Sequence, residues 1–479
     1  MKLMSSVKTI AKNTSFLLLA DIIGKILSFF LVIAIARYLG DIGLGKYSFI
    51  FAFIGLFSIF SDFGTKTFMV REIARNEGKT KIYFDNILTL KLIFALATLI
   101  SPLIMIHFID KNPEVITGVY VIAVATFFLV FTELFNSLLQ AYERMEYVSL
   151  IIVLERVITA SLGIIILTIG FKLIALLFVF LFSYIIVFAT AFSIISKKIT
   201  RIRFRFDFDL WKDIFRNSLP FWFTALFVTI YFRIGSVMLS VMKGYQAVGW
   251  YSASYRMLDA LYFIPNAVIM AVFPAMSKFH IKDKASLSKL YKKSFYYLLS
   301  AGLAIAIGTT LLADRIILFI YKEQFTNSIT ALQILIWAEM MIFISSLSGY
   351  LLNSIDKQKL FTYTTAFCAL VNITLNYTLI SKYSYIGAAT AALITEILVF
   401  ILLFYFVSKN KYGFNILEFI PKLAIACIGM SLFIIYFWHL HLLILIPLAG
   451  LVYYGILFLM KGVGSEEINM IRTLINKTS

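Results

Sequence analysis

The sequence predicts an all-α integral membrane protein with 14 transmembrane helices. Helices 1–6 and 7–12 form two parallel-repeat six-helix lobes around a central cleft, and helices 13–14 lie outside the repeat. Three observations carry this reading: an excess of apolar residues, an uneven placement of Lys and Arg, and two pairs of turns that echo each other.

Of 479 residues, 61% are hydrophobic and 14% are charged. Soluble domains are about 45–50% apolar and about 25% charged. A water-soluble chain of this composition would lack the polar surface to cover its interior. An ordinary soluble enzyme, a disordered chain and a disulfide scaffold are excluded. Each membrane helix takes about 20 apolar residues. The apolar runs fall near 11–36, 44–66, 85–108, 115–139, 148–170, 173–196, 217–242, 249–276, 291–312, 328–354, 360–380, 386–408, 419–439 and 441–461. Many are apolar all round, so length, and the lipid's demand for internally satisfied backbone groups, select helix over strand. The first run is too long for a cleavable signal and no small-residue cleavage site follows it, so it is expected to stay as helix 1. Cys368 and Cys427 lie inside apolar runs and read as packing residues. His107, His280, His439 and His441 lack metal-ligand spacing.

The net charge is +18. With a cytoplasmic N-terminus, 30 of the 43 Lys and Arg residues fall on inside segments and 8 on outside loops. This is the positive-inside pattern, so the charge reflects topology and attraction to anionic lipid, with no nucleic-acid partner. Both termini are expected in the cytoplasm of a multi-pass plasma-membrane protein. The predicted organisation is an N-terminal lobe (1–196), a basic cytoplasmic linker (197–216), a C-terminal lobe (217–408), and helices 13–14 with a cytoplasmic tail (409–479). In the linker, Arg201, Arg203 and Arg205 alternate with Ile202, Phe204 and Phe206, as expected of an interfacial strip with rings at the lipid boundary. Asp207-Phe208-Asp209 spells a DxD, but no folded domain surrounds it.

The turn after helix 1 and the turn after helix 7 match at one offset of 204: Gly40/Gly244, Gly45/Gly249, Tyr47/Tyr251 and Ser48/Ser252. The turns after helices 4 and 10 echo at an offset of 213, Leu139-Gln140-Ala141-Tyr142-Glu143-Arg144 against Leu352-Asn353-Ser354-Ile355-Asp356-Lys357. Six helices per repeat is an even number, so both halves keep one orientation about an axis along the membrane normal. Two such lobes rocking about a central site give alternating access.

Ionisable groups inside hydrocarbon are costly unless paired or hydrated, so they mark candidate sites. Near mid-depth lie Asp21 and Lys25, four apart on one helix face, together with Arg233, Glu339 and Glu396. Arg256 and Asp259, three apart, sit nearer the outside. Each of the two pairs either neutralises itself as helix glue or lines a polar cleft. Lys25 and Arg233, on repeat-related helices, could jointly hold a phosphate or pyrophosphate. Glu339 and Glu396 have no partner at helical spacing and either exchange a proton or stay protonated in the packing. Lys91, Glu133, Glu155 and Arg156 lie within snorkelling reach of the inner surface. Pro220, Pro265 and Pro274 kink or end helices 7 and 8.

Ala36-Arg37-Tyr38-Leu39-Gly40, Gly45-Lys46-Tyr47-Ser48, Asp62-Phe63-Gly64 and Val70-Arg71-Glu72-Ile73-Ala74-Arg75 resemble the opening of polysaccharide (O-antigen type) flippases. These belong to the multidrug/oligosaccharidyl-lipid/polysaccharide exporter superfamily. Ala247 to Arg256, Phe273-Pro274-Ala275-Met276-Ser277, and Leu370 to Asn376 with Ile386-Gly387-Ala388-Ala389 resemble later parts of that family. The resemblance implies a transporter, not an enzyme, that moves a polyprenyl-(pyro)phosphate-linked oligosaccharide from inner to outer leaflet for cell-surface polysaccharide synthesis. Asp21, Lys25 and Arg256 occupy regions similar to the cavity-lining residues of related flippases, and the site expected here has Lys25, Arg233 and Arg256 holding the phosphate region, Asp21 and Asp259 orienting those cations, and Tyr251 and Tyr255 stacking on sugar rings. Glu339 and Glu396 are the candidates for coupling to H+ or Na+, with no metal and no other cofactor. Membrane lipid and the glycan carrier are the expected partners of a functional monomer, and helices 13–14 are expected to form a groove for the lipid tail. An ion-coupled multidrug exporter is the alternative. A membrane glycosyltransferase or polymerase would need a sizeable outer loop, and the largest, near Ala313 to Asn327, is short.

Overall fold

The computed structural model describes residues 2–201 and 203–462, with side chains from Phe16 onward except 18, 220, 221 and 224. The expected tail beyond Gly462, Ile202 of the linker and the Pro220 ring lie outside the described residues. Among the described residues there is no strand. The helices are α1 (Lys2–Ser58), α2 (Thr65–Arg75), α3 (Thr80–Ile109), α4 (Pro113–Ala141), α5 (Met145–Thr168), α6 (Leu173–Lys198) and α7 (Phe208–Lys243). They continue with α8 (Tyr245–Leu261), α9 (Phe263–Lys282), α10 (Lys284–Tyr321), α11 (Ser328–Ser354), α12 (Gln358–Lys409), α13 (Ile420–Tyr436) and α14 (Leu442–Leu459).

Every expected crossing falls on helix, but not one to one. Eleven stretches of the described residues are long and apolar enough to span a membrane. One of them, α12, has 52 residues, about 78 Å at 1.5 Å per residue, which is too long for one pass. It breaks at Ser384, whose φ of 54° and ψ of −133° leave the helical region. α1 breaks likewise at Gly40 (φ 71°, ψ −173°). Each therefore carries two of the expected crossings. Expected helix 8 is instead interrupted: α8 ends at Leu261, and α9 restarts at Phe263, two residues before Pro265, which has no N–H for the ladder. Short α2 is amphipathic and follows two left-handed residues, Phe63 (φ 40°) and Gly64 (φ 74°).

The chain packs as two compact units, residues 1–256 with 369–388, and residues 257–368 with 389–479. In the first unit, Phe84, Phe131, Leu134, Phe135, Leu138 and Val187 are buried in one core cluster. Phe188 meets the rings of Phe128, Phe131, Phe135 and Phe192 there. Lys91 is 1% exposed and donates to Asp62 Oδ1 at 2.8 Å. It does not snorkel to the surface: the ion pair with Asp62 holds it inside. Asp62 also accepts from Thr65 Oγ1 and Lys66 N, which starts α2.

This pair makes an asymmetric prediction. Asp62→Asn strands a buried ammonium and should cost about 3–5 kcal/mol. Lys91→Met should cost less, since the Asp62 side chain is 29% exposed and keeps water. The double variant should recover most of the loss, because an apolar pair of similar volume is close to neutral. Unfolding in detergent checks this, and an Asp62→Asn protein as stable as wild type would contradict it.

In the second unit, Tyr291, Phe295, Phe400, Phe404 and Phe414 form a connected group of rings. Arg315 donates to the carbonyls of Trp438 (2.6 Å) and Leu440 (2.8 Å) and so fixes the turn between α13 and α14. Tyr453 of α14 donates to Ser300 O of α10 at 3.0 Å, deep in the unit. Asp283 caps α10, accepting from Ala285 N, Ser286 N and Ser286 Oγ. The Ser286 hydroxyl bond holds the Asp283 carboxyl below its usual range.

The linker is shorter than expected, because α7 begins at Phe208. Asp207 of the DxD caps α7, accepting from Leu210 N at 3.0 Å. The extended stretch before it is fastened to α3: Arg205 N donates to Thr89 Oγ1, and Trp211 Nε1 to Asn86 Oδ1, both at 3.0 Å. Phe204, Phe206 and Phe208 stay exposed at 59%, 67% and 74%, as an interfacial strip requires.

Candidate functional site

The repeat read from the sequence is visible in the backbone of its turns. Gly244 (φ 83°, ψ 178°) repeats the conformation of Gly40. Only glycine takes such a left-handed, extended state without strain. In the second echo, Glu143 (φ 55°) and Asp356 (φ 60°) are both left-handed. Arg144 N donates to Leu139 O at 2.9 Å, and Lys357 N to Leu352 O at 2.8 Å.

Within the first unit, the two glycine turns clasp each other. A Cβ on Gly45 would lie 1.8 Å from Tyr245 O, and one on Gly249 2.0 Å from Asp41 O. Residues 41 and 45 correspond to 245 and 249 at the repeat offset, so the contact is made twice by equivalent atoms. Asp41 Oδ2 accepts from Gln246 Nε2 (2.9 Å) and Trp250 Nε1 (3.0 Å). Tyr245 donates to Asp110, and Lys46 to Glu114 at 2.5 Å. Lys243 donates to Ser381 O at 2.8 Å.

The same unit gathers charge. Lys25 pairs with Asp21 at 3.1 Å, with side-chain exposures of 31% and 58%. Arg156 of α5 lies across the same stretch of α1: its Cγ is 3.2 Å from where a Gly24 Cβ would stand, and its Nη1 is 3.4 Å from Ser28 Oγ. Glu155 faces Arg156 at 3.6 Å, while its backbone carbonyl accepts from Thr159 and Ser183. Arg233 of α7 lies against Gly55, its Nε 3.4 Å from a Cβ there. Arg256, Arg156, Arg233 and Glu155 all act electrostatically on the buried phenol of Tyr47. Tyr184, also buried, lies in the field of Glu155, Arg156, Tyr47 and Glu133. Tyr251 stacks on Tyr255 with ring centroids 5.7 Å apart. Tyr251 is only 7% exposed, so Tyr255 alone of the two keeps a partly open face.

Lys25, Asp21, Arg233, Arg256, Tyr251 and Tyr255 thus fall in one unit. Asp259 falls in the other. Arg156, Glu155 and Tyr47 join the cluster although sequence depth alone assigned Arg156 and Glu155 to the inner surface. The signal that could have found Arg156 is the small residue Gly24 beside Lys25, which leaves room for a long side chain.

In the second unit, Glu339 and Glu396 are each 6% exposed. Helical spacing left them alone, but the fold brings them together: Glu339 on α11 lies in the field of Glu396 on α12 and of Asp259 on α8. Glu339 Oε1 is buried without a hydrogen-bond partner among the described residues. Tyr262 hydrogen-bonds with Ser346 beside them. No group of three metal-ligating side chains occurs among the described residues.

The profile of a family described as polysaccharide biosynthesis protein matches residues 10–280, more than half of the chain. The chain belongs to the polysaccharide biosynthesis protein family. A second profile, MatE, matches residues 220–378. Among the relatives of this chain, a probable low-salt glycan biosynthesis flippase of Haloferax volcanii is 21% identical over 80% of each chain. A putative O-antigen transporter of Escherichia coli is 26% identical over 40% of this chain and 44% of its own. In fold, an inward closed conformation of the lipid II flippase MurJ aligns at TM-score 0.78, with 17% identity over 92% of this chain and 98% of that one. An inward-facing multidrug resistance MATE transporter aligns at 0.66, with 18% identity over 81% and 95%. The chain is thus a multi-pass membrane protein with the fold of these transporters.

Proposed function

We propose that the chain is a flippase that carries a polyprenyl-(pyro)phosphate-linked oligosaccharide across the plasma membrane by alternating access between the two repeats. The observation that carries this reading is that Arg156, Arg233 and Arg256 all act on Tyr47 of α1, with Lys25 on the stretch of α1 that Arg156 crosses. Asp21 pairs with Lys25, and Glu155 faces Arg156. One ammonium and three guanidinium groups in one unit suit a phosphate or pyrophosphate, which guanidinium groups grip through two parallel bonds. The sugar head follows through the polar passage, and the polyprenyl tail stays in lipid along α13 and α14. The positive-inside pattern sets both termini in the cytoplasm, so the Gly45–Gly249 clasp closes the outer side. Binding opens the opposite face in turn, and the protein acts as a monomer without catalysing a covalent step. Glu339, Glu396 and Asp259 take up H+ or Na+ and so tie the cycle to an ion gradient.

The rival drug-exporter reading needs carboxylates to meet cationic substrates, and the Glu339–Glu396 group favours it to that extent. Reconstituted vesicles separate the two. With a fluorescent polyprenyl-pyrophosphate oligosaccharide in one leaflet, the protein should equilibrate the probe between leaflets. A cationic dye under an ion gradient should not be transported. Dye movement without glycan movement would overturn the proposal.

A further inference from the structure

The turn between α11 and α12 opens on a cavity of about 620 Å³, lined by Asp356, Lys357, Gln358, Lys359, Tyr363 and Lys409 among others. It lies wholly in the second unit, apart from the arginine cluster. We propose that this cavity binds a phosphate-bearing anion, namely the headgroup phosphate of an anionic membrane lipid. The inference needs only that the chain crosses a membrane, not that it moves a glycan.

Four features carry it. None of Lys357, Lys359 and Lys409 makes an ion pair among the described residues. The positive end of α12 begins at Gln358, inside the lining. Tyr363, 66% exposed, adds an aromatic wall that suits the boundary between headgroup and acyl chain. The fourth is a comparison within the molecule. At the repeat offset of 213, Lys357 and Lys359 correspond to Arg144 and Glu146, in a turn of the same backbone shape. There Arg144 and Glu146 pair at 3.6 Å, so the first copy of the turn neutralises itself. The second copy replaces the acid with a lysine, so the lining holds three lysines against the single carboxylate of Asp356 and stays net positive. Basic pockets between membrane helices at the bilayer surface take lipid headgroups on these grounds.

The test uses the full chain in nanodiscs of phosphatidylcholine with a small fraction of photoreactive phosphatidylglycerol. Labelling should map to the peptides containing Tyr363 or Phe406. Unlabelled phosphatidylglycerol should compete, and phosphatidylcholine should not. Lys357→Gln/Lys359→Gln/Lys409→Gln should lower labelling about tenfold. Lys359→Glu, which copies the self-paired first turn, should lower it with the unfolding temperature unchanged. Lys411→Gln, a neighbour outside the lining, should have no effect. Labelling that persists in the triple variant, or falls elsewhere, would overturn the site. Competition by millimolar inorganic phosphate alone would overturn the lipid as its source. Because transport is not read, failure here leaves the flippase proposal standing, and the reverse also holds.

Discussion

Alanine at Lys25 and Arg233 together should stop glycan flipping in reconstituted vesicles while the protein stays folded. A hydrogen bond to a charged group contributes about 1.5–3 kcal/mol, so each lost contact to a phosphate slows transport by roughly 10- to 100-fold. Arg156→Ala should join them, since Arg156 lies on the same stretch of α1 as Lys25, against Gly24 and Ser28. The fold should survive because these side chains sit at the edge of the packing: Lys25 is 31% and Arg156 is 42% exposed. Glu155→Gln should act more weakly, because it removes the charge that faces Arg156 and not a cation. Flipping rates and unfolding temperatures, measured on the same preparations, separate the site from stability. Wild-type rates in the Lys25→Ala/Arg233→Ala protein would refute the site.

Gly45→Ala with Gly249→Ala should give an equally large loss by a different route. In a helix interior, Gly to Ala is normally stabilising by about 0.5–1 kcal/mol. Here each new methyl would meet a backbone carbonyl, Tyr245 O at 1.8 Å and Asp41 O at 2.0 Å, and backbone has no rotamer by which to yield. Overpacking of this kind costs about 1–3 kcal/mol per site, and it falls on the clasped state alone. The population should move away from that state and transport should fall. Spin labels at Ile42 and Lys382, both exposed and both in the first unit, report the change. Wild type should show a short-distance population that the double variant loses. A double variant with the wild-type distance distribution and flipping rate would show that the clasp does not gate.

Much of this architecture was legible in the sequence because its signals are local. The left-handed glycines Gly40 and Gly244 cannot be replaced freely, so the turns they form keep a recognisable pattern at a fixed offset. Apolar run length located helix wherever a crossing was expected. It could not tell a loop from a kink: Ser384 breaks α12 without any loop, and nothing in its composition announces that. The ionisable residues were legible as candidates but not in their company. Spacing along one helix finds Asp21 with Lys25. It cannot find Asp62 with Lys91, which meet only when separate helices pack, or Glu339 within the field of Glu396. Depth alone assigned Lys91 and Arg156 to the inner surface, and the fold instead encloses one in an ion pair and lays the other along α1.

If the cations of the first unit grip a diphosphate, they should do so in the absence of the sugar. The most direct measurement is equilibrium binding of a sugar-free polyprenyl diphosphate to the purified protein, compared with the Lys25→Ala/Arg233→Ala and Arg156→Ala variants and with Lys382→Ala, whose side chain lies outside the cluster. Binding should be saturable, weaken by about tenfold or more with each cation removed from the cluster and be unchanged in Lys382→Ala. Equal affinity in all four proteins would contradict it.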